Sequence, residues 1–116
     1  DIAALQEMSG PWPVNGAALR IGSVALADQD WAAATVQRLR AEVLAADALA
    51  LAAGWQALGG CELFRLYDTP DAEQAQASLA RHRIWSRIFP YSNRWLRLGL
   101  PGGDAEWARL AQALEG

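Results

Sequence analysis

An α/β domain in the form of a two-layer sandwich is the fold class this sequence predicts, on three observations. Apolar residues recur at helical spacing from Asp30 towards Gly54 and again after Asp104. Short strand-like runs stand between Gly59 and Leu100. Beyond Gly59 the two patterns interleave as β-α-β-β-α, an order that layers helices on a small sheet. The expectation is a single domain over 1–116, with helices over 1–54 packed on a βαββα unit over 59–116 and a small mixed sheet.

Each element has a local reason. "DIAALQEM" reads as the end of a helix, and "SGPWPV" breaks it, since proline lacks an amide donor and Gly10 loosens the backbone. Asn15 is the expected cap of a helix through "GAALRIGSVAL". Asp28 and Asp30 supply cap and first-turn charge for a longer helix carrying Ala32, Val36, Leu39, Val43, Ala46 and Ala50 at helical spacing, stopped by Gly54. Gly59 and Gly60 are read as a turn leading into one strand, "CELFRLYD". Thr69 and Pro70 are read as N-cap and first residue of a helix to Arg81, with Ala72, Ala75, Leu79 and His82 on its inner side. "RIWSRIF" and "WLRLGL" are strands joined through "PYSNR", close enough for an antiparallel hairpin, whereas the helix before them permits a parallel crossover. Asp104 opens the last helix, with Trp107, Leu110, Ala111 and Leu114 as its inner stripe.

Composition excludes several functions. At 116 residues and 53% hydrophobic, the chain has material for one core burying roughly two thirds of its unfolded surface. A net charge of -3 argues against nucleic acid or an anionic membrane as partner, because both need a dense basic surface. No apolar run is long enough to span a bilayer. One cysteine and one histidine make neither a disulfide nor a zinc cluster, so no metal site is expected and a reducing, cytoplasmic setting is. All ten basic residues are arginine, which excludes a Schiff-base lysine and a Walker A loop within these residues. The chain begins at Asp1 with neither an initiator methionine nor a leader, as an excised or processed segment would.

One residue stands out. In "WLRLGL", Leu96, Leu98 and Leu100 share one strand face, and Trp95, Arg97 and Gly99 share the other. Arg97 is either a solvent-facing or ion-paired arginine, or a fork for a carboxylate or phosphate with room left beside it by Gly99. His82 reads as a helix-end residue and Cys61 as a small buried hydrophobe. Arg81, Arg83 and Arg87 read as an exposed basic face, and "GLPGG" as a turn rather than a phosphate cradle.

Three segments, "GPWPVNGAALRIGSVALAD", "GGCELFRLYDTPDAEQAQASLARHRIW" and "WLRLGLPGGDAEWARLAQAL", together covering most of the chain, resemble the C-terminal part of the threonine-phosphate decarboxylases of cobalamin biosynthesis. The resemblance implies the small C-terminal domain of the aspartate-aminotransferase fold, close to that of histidinol-phosphate aminotransferase. It implies a pyridoxal-phosphate enzyme that, when intact, converts L-threonine O-3-phosphate to 1-amino-2-propanol phosphate. Arg97 matches the arginine that such enzymes offer to the substrate α-carboxylate, and Trp12 and Asn15 match a segment near the site entrance. The cofactor lysine and the other cofactor-binding residues would belong to an upstream large domain, with a homodimer in the intact enzyme and neither catalysis nor cofactor expected of this part alone. The small domain of an aminotransferase and a freestanding α/β binding or regulatory module are the alternative readings.

Overall fold

Side-chain caps open most helices of the computed structural model, which describes every residue except Pro11 and Gly116. The chain divides into two compact units, Asp1–Ala34 and Thr35–Gly116. In the first, α1 (Ile2–Ser9) starts where Asp1 accepts the Ala3 N–H at 3.1 Å and stops at Gly10, whose φ is +72°. Asn15 accepts the Ala18 N–H at 2.8 Å and opens α2 (Gly16–Ala27); Asp28 accepts the Trp31 N–H at 2.9 Å and opens α3 (Gln29–Ala52). Each cap satisfies an amide that has no partner inside the helix. No residue of α1 or α2 is buried.

In the second unit α3 ends at Gly54, whose φ of +79° lets the Gly54 and Trp55 amides fold back on the Leu51 and Ala50 carbonyls. Four strands follow: β1 (Gln56–Cys61), β2 (Phe64–Asp68), β3 (Arg87–Phe89) and β4 (Ser92–Gly99). Helix α4 (Ala72–Arg81) lies between β2 and β3 in the chain, and α5 (Asp104–Leu114) closes it. The expected α/β class and two layers are present. One face of the sheet contributes Tyr67, Leu96 and Leu98 to a core completed by Ala50 of α3, Leu79 of α4, and Leu110 and Ala113 of α5. Leu79 and Leu96 are fully enclosed, at 0% exposure.

Three local readings change. "GGCELFRLYD" is a hairpin rather than one strand: it turns at Glu62 and Leu63, and Cys61 pairs with Phe64. Gly59 and Gly60 lie inside β1, where Gly60 must let the returning strand approach its backbone. The sheet order is β1-β2-β4-β3 and every adjacent pair is antiparallel, so it is not mixed. The α4 crossover does bring β3 back in the same direction as β2, but β4 inserts between them. Finally, Asp71 caps α4, accepting the Gln74 N–H at 2.9 Å. Thr69 is instead buried and extends the β2–β4 pairing, donating its N–H at 2.8 Å and its hydroxyl at 2.9 Å to the Arg94 carbonyl.

A polar brace ties α3 to β2. Arg65 donates to both carboxylate oxygens of Asp47, at 3.1 and 2.8 Å, and the Tyr67 hydroxyl donates to the same carboxylate at 2.9 Å. Burial first, and then the Asp47 hydrogen bond, hold the Tyr67 pKa well above its ordinary value, so the phenol stays a donor. Asp47→Ala would leave the half-buried Arg65 guanidinium and the hydroxyl of the buried Tyr67 without this partner. The expected loss is about 2 kcal/mol of unfolding free energy, read from the urea midpoint at constant m-value; a shift within error of wild type would show the brace to be dispensable.

Candidate functional site

The sheet face opposite the core carries the residues of interest. Alternation along β4 buries Leu96 and Leu98 and turns Trp95, Arg97 and Gly99 the other way. Strand register then sets the neighbours of Arg97: Leu66 of β2 on one side and Arg87 of β3 on the other. Two guanidinium-bearing residues thus face each other across adjacent strands, with Cα atoms roughly 5 Å apart by ordinary antiparallel geometry. Like charges placed so are mutually destabilising.

The other two strand arginines are engaged. Arg65 grips Asp47 from the core side, and Arg94 holds Asp68 through two hydrogen bonds at 2.8 and 2.5 Å. That grip lowers the Asp68 pKa below the usual carboxylate range. Among the described residues no carboxylate pairs with Arg97 or Arg87. Each instead rests on an aromatic ring. The Arg97 guanidinium carbon lies 4.8 Å from the centroid of Phe64 and that of Arg87 lies 5.4 Å from the centroid of Phe89. Phe64, Trp85, Ser86 and Gly99 line the same open cleft as the two arginines. A face with paired guanidinium groups, aromatic walls and no internal carboxylate is suited to an anion with more than one charged group.

The other candidate residues have settings of their own. Trp12 and Asn15 belong to the first unit; Trp12 is 88% exposed, and the Asn15 side-chain oxygen is occupied in capping α2. The His82 Nδ1 lies 3.0 Å from the Ser78 carbonyl at the end of α4, and Cys61 is a half-buried free thiol at the end of β1. The "GLPGG" turn is closed by its own helix, since the Gly102 N–H donates to Glu106 at 2.7 Å. Among the described residues no cluster of three or more His, Cys, Asp or Glu side chains is placed to hold a metal ion, and no helix is long and apolar enough to cross a membrane.

Arg87 is the residue that sequence reasoning passed over by grouping it with Arg81 and Arg83. Arg81 ends α4, and Arg83 follows at φ +60° in the position that glycine usually takes after a helix. Only Arg87 enters the sheet, and only strand register puts it opposite Arg97.

No family model matches the chain. Two curated proteins, each called threonine-phosphate decarboxylase, are similar to it. The one from Pseudomonas aeruginosa is 37% identical over 115 residues, covering 99% of this chain and 34% of that protein. The one from Sinorhizobium sp is 37% identical over 114 residues, covering 97% and 33%. The chain therefore spans about a third of the length of the curated relatives it matches.

Proposed function

We infer that this chain, a relative of the threonine-phosphate decarboxylases over nearly its whole length, is the substrate-gripping part of such an enzyme. The observation that carries the reading is the cross-strand pair Arg97 and Arg87, both without a carboxylate partner among the described residues. O-phospho-L-threonine offers two anions on a short frame. Arg97 takes the planar α-carboxylate with two parallel hydrogen bonds, and Arg87 supplies the second positive charge towards the phosphate.

Arg97 acts by orientation. A carboxylate loses its charge as it leaves as carbon dioxide, so a tight grip on it favours the bound substrate more than the transition state. Its use lies in fixing which bond at the α-carbon is presented for cleavage. The chain holds no lysine, so its residues do not fit covalent attachment of pyridoxal phosphate. In this reading the cofactor belongs to a large domain elsewhere in the same protein, and the chain's own contribution is binding and alignment. The apolar side chains that α1 and α2 expose, among them Leu5, Met8, Ile21 and Leu26, are surface for that domain or for the second subunit of a homodimer. Cobalamin biosynthesis is the setting that the resemblance implies, and the single cysteine favours a cytoplasmic one.

Incubating the intact protein with O-phospho-L-threonine should release carbon dioxide and 1-amino-2-propanol phosphate in equal amounts. Transfer of the amino group from histidinol phosphate to a 2-oxo acid, without carbon dioxide release from phosphothreonine, would replace this reading with that of an aminotransferase.

A further inference from the structure

We propose that Phe64 is a positioning residue that orients the Arg97 guanidinium for carboxylate binding. The proposal rests on the reading of Arg97 as the carboxylate clamp.

The geometry begins with register. Phe64 on β2 stands directly opposite Gly99 on β4, and Arg97 is two residues earlier on the same face of β4. Phe64 and Arg97 are therefore diagonal neighbours, a separation that an aromatic ring and a long side chain can span. The Phe64 ring lies 4.8 Å from the Arg97 guanidinium carbon. The Arg97 guanidinium thus meets an aromatic ring from the neighbouring strand.

The chemical consequence follows from the shape of the group. A guanidinium presents two flat faces and an edge that carries its donors. A ring against one face removes water from it and restricts rotation, while the donor edge stays free for two parallel hydrogen bonds to a carboxylate. No carboxylate among the described residues orients Arg97, so the aromatic contact is the restraint left to do so. Phe64 is 39% exposed, which places the stacking at the weaker, solvated end of the range for such contacts.

The test uses two ligands that differ by one carboxylate, O-phospho-L-serine and O-phosphoethanolamine, as inhibitors of the intact holoenzyme. Their inhibition-constant ratio reports the carboxylate grip and cancels effects on the phosphate side. Phe64→Leu should reduce the preference for phosphoserine roughly two- to fivefold, leaving phosphoethanolamine within about twofold of wild type. Phe64→Tyr, which keeps the ring, should restore the preference. Equal weakening of both ligands by Phe64→Leu would assign Phe64 a merely structural role and overturn the proposal. An unchanged ratio in Phe64→Leu alongside a collapsed ratio in Arg97→Ala would overturn it while leaving the clamp standing. An unchanged ratio in Arg97→Ala would defeat the clamp reading itself, and the role of Phe64 with it.

Discussion

Arg97→Ala in the intact protein should lower kcat/KM for O-phospho-L-threonine by about 10²- to 10³-fold, the cost of truncating one partner of a charge-assisted bidentate pair. Most of the loss should appear in KM, because the grip is at least as strong on the bound substrate as on a transition state whose carboxylate is losing charge. Arg97→Lys should recover only a small part, since an ammonium keeps the charge and loses the planar fork. Stability should barely change: Arg97 lies on the face opposite Leu96 and Leu98 and pairs with no carboxylate among the described residues. Unchanged steady-state kinetics in Arg97→Ala would remove the basis for a carboxylate clamp on this strand.

Gly60→Ala should be the most damaging single-methyl change in the sheet. At Gly60 φ is +139°, a conformation that L side chains rarely adopt, and a Cβ there would lie 2.4 Å from the Phe64 carbonyl oxygen and 2.9 Å from the Arg65 Cα. Both obstacles are backbone of the paired strand, so relief requires the β1–β2 hairpin to open. The expected loss is at least about 3 kcal/mol in urea denaturation. Gly59 provides the internal control: its φ is +150°, but nothing lies within 4 Å of an added Cβ. Gly59→Ala should therefore show conformational strain alone, about 1–2 kcal/mol. Equal losses at the two positions would mean that the close approach of β2 is not what requires Gly60.

The same glycine shows why this stretch reads as one strand in the sequence and folds as a hairpin. A glycine pair before an apolar run is the usual mark of a turn, yet here the turn falls at Glu62 and Leu63, which carry no turn signature. The glycines answer to a strand that has not yet been built when they are read in order. Thr69 is similar. As a cap it competes with Asp71 on local terms, and what removes it is the Arg94 carbonyl, which is 25 positions away and accepts both its amide and its hydroxyl.

By itself the sequence determined what depends on neighbours along the chain. Asn15, Asp28 and Gly54 bound their helices as expected because capping is settled within a few residues. The split of β4 into a leucine face and an arginine face follows from strand alternation alone, and so Arg97 was legible. Only the tertiary structure decided what Arg97 meets. Counted back from the Phe89–Ser92 pair without interruption, Arg87 would face Arg94; the irregularity after Ile88 shifts the register by three residues and sets it opposite Arg97. Insertion of β4 beside β2 brings Phe64 within reach of Arg97. Register is a property of paired strands, fixed by packing and bulges rather than by any one run of residues, so the partners of the arginine could not be read from the segment that contains it.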